Sequence, residues 1–426
     1  MENLFKSLKN RKLLIAGFGK EGKSTYKLLR KYFPDKIIGI ADSNSDIKKQ
    51  IPDDNNISFH LGENYLHSIK GYDLVFKSPG ISLKDFPCSN SEKITSQTDI
   101  FMRFFGGQTI GVTGTKGKST TATLIYHILK ENGKDVVLLG NIGIPAFEKL
   151  SEIKESTIIV FELSAHQLEY VHHSPRVAIL LNIFPEHLDH FKSFEAYKIA
   201  KLNIAKYQKP EDILIASKTV ASHFTKTVSK VLYFEDSMAI APESVKLKGV
   251  HNLNNIKAAI LAVEPFGITR ENALIAAYGF KSLPHRMEYV GKFGGIHFYN
   301  DSISTIPESA IAAVKAIGSI DTIILGGFDR SLDFSELLNF ISAEPLKNII
   351  FIGPAGKKMY NLLLNRSNNS SNLFLAEGVE DAFEIIKEHT AKEGVCLLSP
   401  AAASYDKYHN FEHRGDIFKA LAQKME

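Results

Sequence analysis

The chain has 426 residues and a 44% apolar share, enough for two to four globular domains. Its charge is mixed, +4 net with no dense basic run, which argues against nucleic acid or a membrane surface as the main partner. Two distant cysteines, Cys88 and Cys396, make a disulfide framework unexpected and fit a reducing cytoplasm. Residues 1–12 lack the apolar core of a signal peptide, and no apolar run approaches the ~20 residues that span a bilayer.

Three blocks with separate α/β rhythms follow. In the first, Leu13-Leu14-Ile15-Ala16 reads as a strand that empties into Gly17-Phe18-Gly19-Lys20-Glu21-Gly22. A helix is predicted to about Tyr32, then a strand over 37–41 ending at Asp42. A G-x-G-x-x-G between strand and helix, with an acid about 20 positions on, is the pattern of a nucleotide-binding turn. Residues 74–77 read as another strand, ending in Ser78-Pro79-Gly80, and the block closes near Gly107.

The second block opens on Gly111-Val112-Thr113-Gly114-Thr115-Lys116-Gly117-Lys118-Ser119-Thr120, ahead of a helical run over 122–129. Strand, glycine-rich turn and helix N-terminus aim backbone N–H groups at one point, which suits phosphate. Lys118 supplies a mobile charge for the β- and γ-phosphates and Ser119 a hydroxyl for Mg²⁺. A regular Walker A requires Gly where Val112 stands, so a glycine turn that happens to end in Lys-Ser is the bland alternative. Strands are predicted over 136–139, 157–161 and 177–181 as near-continuous apolar runs, the signature of parallel strands covered on both faces. They end in Asn141, Glu162 and Asn182, which on an open parallel sheet share a rim with the loop.

The third block starts near Lys281, with Pro284-His285-Arg286 as a hinge. Strands over 297–299, 322–325, 348–352 and 395–398 alternate with helices over 308–317, 379–389 and 411–424, which reads as a doubly wound sheet.

Glu162, beside the phosphate loop, is placed for Mg²⁺, with a capping or solvated carboxylate as the alternative. Glu169 reads as surface. Pro185, Glu186, His187, Asp189 and His190 follow a buried strand, and imidazole with carboxylates suits metal or phosphate work, His187 foremost. Lys192, Lys198, Lys201 and Lys206, around a helical segment over 194–205, read as a solvated face. His251-Asn252-Leu253-Asn254-Asn255 opens a helix over 256–263. Asn252 or Asn254 would cap it, or an Asn one turn in would face an adenine. Asn300-Asp301-Ser302, Gly326-Gly327-Phe328-Asp329-Arg330 and Ser399-Pro400-Ala401-Ala402-Ala403-Ser404 end three strands at one sheet face. Asp301 suits a ribose or a metal and Arg330 a carboxylate, and Asp406, Asn410 and Phe411 come next.

Together these pieces closely resemble the Mur ligases, ATP-dependent amino-acid ligases of peptidoglycan precursor synthesis. The resemblance runs over nearly the whole chain. It rests on the phosphate loop, Gly140-Asn141-Ile142-Gly143, Glu162-Leu163-Ser164 with Gln167-Leu168-Glu169, Glu186-His187-Leu188-Asp189 and Ala200-Lys201-Leu202. Further matches are His251-Asn252 with Asn255, Leu283-Pro284-His285-Arg286, and Ser399-Pro400-Ala401 with 404–415. The short first block is most similar to the branch that adds glutamate to UDP-N-acetylmuramoyl-L-alanine.

The resemblance implies an α/β chain of three domains. These are a Rossmann-like UDP-sugar-binding domain over 1–107, a central P-loop ATP-binding domain over 108–283 and a Rossmann-like amino-acid-binding domain over 284–426 that swings shut. It assigns catalysis to Lys118, Asn141, His187 and Lys201. ATP would lie on Gly114, Thr115, Lys116, Gly117, Lys118, Ser119 and Thr120, with Asn255, Arg286 and Asp301 around the adenosine. Ser119, Glu162 and His187 would hold Mg²⁺, and Lys201, carbamylated, a second metal. Gly19, Lys20, Asp42, Ser78 and Gly80 match the UDP-sugar region; Thr305, Arg330, Ser404, Tyr405 and Phe411 match the glutamate pocket. The implied reaction passes through an acyl phosphate. Ile303 and Arg330 replace lysines usual in enzymes that take D-glutamate, which leaves L-glutamate as an alternative. Rival readings are a folylpolyglutamate synthase, a P-loop hydrolase or switch, and an inactive binding paralogue. A cytoplasmic monomer is expected, with no nucleic-acid or membrane partner.

Overall fold

The computed structural model describes all residues except 1–4, 6–7, 52–53, 85, 87–90, 141–143, 189, 225–226, 242–244, 246, 248, 281–282, 345, 365–369 and 426. Asn141, Asp189, Cys88 and Lys281 therefore lie outside the described residues. The chain divides into two units. Met1–Ile240 with Asn254–Tyr278 forms one, and Ala241–Leu253 with Gly279–Glu426 the other.

The first unit holds two parallel sheets. Strand β1 (Leu13–Ala16) is buried along its length and leads through the glycine turn into helix α1 (Lys20–Tyr32). Helix and strand can meet this closely only because residue 22 is glycine: a Cβ there would stand 2.1 Å from the Gly17 carbonyl oxygen. Strands β2 (Ile38–Asp42), β3 (Ile57–Leu61), β4 (Leu74–Lys77) and β5 (Ile94–Thr95) complete the order β3-β2-β1-β4-β5. Strand β3 is half-buried and alternates apolar with polar residues, the pattern of a partly covered edge. Helix α2 (Gln97–Phe105), capped by the Ser96 hydroxyl, then carries the chain into the second sheet.

That sheet is built from β6 (Thr109–Thr113), helix α3 (Lys118–Glu131), β7 (Val136–Gly140), β8 (Ile158–Glu162), the short helix α4 (Ala165–Leu168) and β9 (Val177–Leu180). Helix α5 (Phe194–Lys206), β10 (Ile213–Ala216) and β11 (Lys230–Tyr233) follow. The order is β11-β10-β9-β6-β8-β7, and every pairing is parallel. Helices α6 (Val250–Val263) and α7 (Arg270–Gly279) come next, and the division between units falls inside α6. Because α6 starts at Val250, Asn252 and Asn254 lie within its first turns; the capping role expected for them does not hold.

The second unit is a six-stranded sheet. It comprises β12 (Glu288–Phe293), β13 (Ile296–Asn300), helix α8 (Pro307–Ile317), β14 (Thr322–Gly326), helix α9 (Ser335–Ala343), β15 (Asn348–Ile352) and helix α10 (Gly353–Leu364). It ends with β16 (Asn372–Ala376), helix α11 (Val379–His389), β17 (Val395–Leu398) and helix α12 (Phe411–Gln423). The order is β12-β13-β17-β14-β15-β16. One pairing departs from a doubly wound parallel sheet: β12 runs antiparallel to β13, because Gly294-Gly295 supplies the positive φ angles of a tight hairpin. Two apolar clusters cover the two faces. One carries Val314, Leu337 and Met359 from α8, α9 and α10, the other Phe383 and Phe418 from α11 and α12. Among the described residues no helix is long and apolar enough to cross a membrane.

Candidate active site

The phosphate loop leaves β6 where strand order reverses, with β8 on one side and β9 on the other. A crevice opens at such a point, at the carboxyl ends of the strands. Gly117 sits at φ 87°, and a Cβ there would come 2.7 Å from the Asn255 Oδ1 of α6, so the loop is moulded against that amide. Asn182, just past β9, pins the loop from below. Its side-chain oxygen accepts from Lys116 N (2.8 Å), its side-chain nitrogen donates to Lys116 O (3.1 Å), and its carbonyl accepts from Thr115 N (2.9 Å). At the first residues of α3, Lys118 Nζ donates to the carbonyls of Gly114 (2.9 Å) and Thr115 (3.0 Å). Ser119 Oγ donates to Glu162 Oε1 (3.0 Å), and Glu162 is 1% exposed at the end of β8.

Lys201 overturns the solvated-face expectation. On α5 it is 1% exposed, and its Nζ donates to Gly114 O at 2.8 Å, the same oxygen that Lys118 reaches. The Tyr197 ring lies 4.8 Å away, and the Tyr197 hydroxyl meets Thr115 Oγ1 at 3.0 Å. Burial first, then the Lys118 charge, pulls the Lys201 amine down to a pKa of about 6. It is therefore a largely neutral amine at pH 7, whereas Lys192 and Lys206 do face solvent.

His187 has a left-handed backbone (φ 57°) and its ring packs on His166 (4.8 Å between centroids), which packs on His190 (4.3 Å). Burial and the neighbouring histidines push His166 down to about 4, so this ring is neutral. Glu169 is not surface, as expected, but half-buried between His190 (3.4 Å) and Lys77 Nζ (2.9 Å). Lys77 ends β4, so this ion pair ties the first sheet to the second. Lys116 pairs with Glu186 (2.8 Å) on the loop's outer side.

In the first sheet, Asp42 Oδ2 accepts from Phe18 N (2.7 Å) and Ser78 Oγ donates to Gly17 O (2.7 Å). Both hold the glycine turn, with Gly19, Lys20 and Gly80 exposed. Arg286, Asp301, Thr305, Arg330, Ser404, Tyr405 and Phe411 belong to the second unit, whereas Asn255 belongs to the first. Asp301 is buried and accepts from Ser304 Oγ (2.5 Å), Ser399 Oγ (2.7 Å) and Met287 N (3.1 Å), and burial raises it to about 6. Arg330 Nη2 donates to Thr305 O (3.3 Å), Ser404 is 2% exposed and Tyr405 67%.

The structure thus gathers the phosphate loop, Glu162, Lys201 and Asn255 in the first unit, and Thr305 with Arg330 in the second. Sequence reasoning passed over Tyr197 and Lys77, which carry no motif of their own; Arg414 fell within the matching stretch 404–415 without a role, and Asn182 was visible only as a polar strand end. A crevice with a phosphate loop, a buried lysine and a half-buried one meeting at a loop carbonyl, and a hydroxyl–carboxylate contact defines a nucleotide-dependent transfer enzyme in chemical outline. The family model described as the Mur ligase middle domain matches residues 112–231. The UDP-N-acetylmuramoylalanine--D-glutamate ligase of Acetivibrio thermocellus is 32% identical, over 99% of this chain and 98% of that protein. That of Clostridium kluyveri is 33% identical, over 87% of each. This chain belongs to the Mur ligase family. Among solved structures, the MurF ligase of Thermotoga maritima in complex with ADP matches in fold, with a TM-score of 0.58, 19% identity, and coverage of 98% of this chain and 97% of that one.

Proposed function

We propose that the chain is an ATP-dependent ligase that joins D-glutamate to the alanyl carboxylate of UDP-N-acetylmuramoyl-L-alanine. The observation that carries this reading is the meeting of Lys118 and Lys201 at the Gly114 carbonyl, beside the Ser119–Glu162 contact. The names of the relatives in Acetivibrio and Clostridium support it, and the ADP in the Thermotoga neighbour supports nucleotide in the crevice.

A carboxylate cannot expel oxide when an amine attacks. The alanyl carboxylate oxygen therefore takes the γ-phosphoryl group, and the bond to the ADP oxygen breaks. The glutamate amine then attacks the acyl carbon, loses a proton, and phosphate leaves. Lys118 offsets charge on the β- and γ-phosphates. Ser119 and Glu162 fit Mg²⁺: hydroxyl and carboxylate are hard oxygen donors, and this ion is commonly held by one or two carboxylates with phosphates and water. When bound, the ion offsets phosphate charge.

A neutral Lys201 amine can attack CO₂, forming a C–N bond and releasing one proton, and the carbamate would carry a negative charge beside the Lys118 ammonium, which meets the same Gly114 carbonyl. His187 and Asn141 complete the catalytic set, and the three-domain division 1–107, 108–283 and 284–426 assigns one substrate to each domain. Thr305, Arg330, Ser404, Tyr405 and Phe411 take the glutamate. The test is phosphate release from ATP with purified protein, Mg²⁺ and the UDP-sugar, adding D- or L-glutamate separately. Release that needs the UDP-sugar and D-glutamate supports the reading. ATP hydrolysis indifferent to both would mean a P-loop hydrolase, and preference for L-glutamate would reassign the isomer.

A further inference from the structure

Arg414, in the first turn of α12, is 0% exposed and heads the fully buried side chains of the described residues in volume. A guanidinium has five N–H donors, and here each meets an acceptor. Nε reaches Ser302 Oγ (3.0 Å), and Nη2 reaches Ser302 O (2.9 Å) and Ala402 O (3.2 Å). Nη1 reaches Ala403 O (3.2 Å) and Gly326 O (3.4 Å). All five acceptors are uncharged. An isolated buried charge is expensive; five neutral dipoles make the direct contacts, and the nearby Asp406 carboxylate adds a favourable charge without being one of the acceptors. Burial lowers the group only to about 10, which leaves it cationic at neutral pH.

The acceptors lie on three separate segments, at or just beyond the carboxyl ends of β13, β14 and β17. Those segments continue directly into Thr305, Arg330 and Ser404. One side chain therefore grips all three. The fit is close: a Cβ on Gly327 would stand 2.9 Å from Arg414 Nη1 and 2.2 Å from Ala403 O.

We propose that Arg414 is a positioning residue for the amino-acid substrate, a buried cation that ties three strand ends into one anion-accepting rim. It does not touch the substrate; it sets Thr305, Arg330 and Ser404 in register. The inference rests on the reading of this sheet edge as the glutamate pocket.

The test compares wild-type enzyme with Arg414→Lys and Arg414→Met, measuring KM for glutamate, ATP and the UDP-sugar separately, with melting curves. Lys keeps the charge but not the five-fold grip. Arg414→Lys is expected to raise the glutamate KM by roughly 10-fold or more while the other two KM values stay within about 3-fold, and Arg414→Met to raise it further. Guanidinium added to Arg414→Gly is expected to restore part of the loss. An unchanged glutamate KM, or an equal rise in all three, overturns the proposal. Should the Arg414 variants fail to fold, Ser302→Ala removes the Nε acceptor and, with it, the bond from Ser302 Oγ to Phe411 O (2.8 Å), and a glutamate KM unmoved by it is equally fatal. Wild-type protein that shows no glutamate-dependent turnover would instead refute the ligase reading itself.

Discussion

Two lysines pointed at one carbonyl oxygen are the most consequential contact in the molecule. Burial first, and then the neighbouring Lys118 charge, disfavour the ammonium form, which is why Lys201 falls to about 6. Above about pH 6 the amine is free, and below it the proton returns, so the carbamate proposed for it would no longer form. Turnover is therefore expected to fall as pH drops through 6. A carbamate carbon signal from ¹³C-labelled bicarbonate should fade over the same interval in NMR spectra, and a signal constant to pH 5 would refute the assignment. Lys118→Ala is expected to lower kcat by roughly 10²–10³, because a preorganised cation facing developing phosphate charge is lost. Kinetics with saturating ATP checks this.

At the scale of elements, each binding turn depends on one close approach. Helix α1 and β1 meet through Gly22, and an added methyl group would strike the Gly17 carbonyl, which is backbone and cannot swing aside. Gly22→Ala is expected to cost about 1–3 kcal/mol, read from the urea midpoint, and to raise the KM for the UDP-sugar more than that for ATP. A variant with wild-type stability would show that the turn relaxes. The phosphate loop relies on Asn182, which makes two side-chain bonds to Lys116. Asn182→Ala is expected to raise the KM for ATP by about 10-fold with little change in the other two, since loop order is what the side chain supplies.

Across the whole molecule, the two units carry groups with opposite acid responses, one half-buried and one buried. His166 in the first unit has its folded pKa lowered from 6.5 to about 4, so the unfolded chain binds more protons between these values and stability is lost on acidification. Asp301 in the second unit is raised from 3.8 to about 6, so the folded chain binds more protons there, and stability is gained on acidification. Asp301→Asn imitates the protonated acid. It is expected to exceed the wild-type melting temperature by a few degrees at pH 7, and the gap should close by pH 4. A pH-independent gap would show that Asp301 does not titrate in this window. His166→Asn is expected to remove acid sensitivity from hydrogen exchange in β6 and β8.

Much of this was open to reading along the chain. Apolar runs such as 348–352 and 395–398 announce strands covered on both faces, and glycine turns between strand and helix announce phosphate or nucleotide sites, because backbone geometry there admits few residues. Edge strands β11, β12 and β16 are half-buried and alternate weakly, so local pattern does not single them out. What folding alone decided is protonation and burial. Lys201 looks like any lysine on a polar helix until α5 packs it under Gly114. Glu169 looks exposed until Lys77 arrives from another sheet, 92 positions back. Arg414 acquires its five partners from segments up to 112 residues away. Residue type and spacing are local properties, but the dielectric surroundings and the charge neighbours that fix a side chain's chemistry come from distant parts of the chain, and only the folded sheet brings them together.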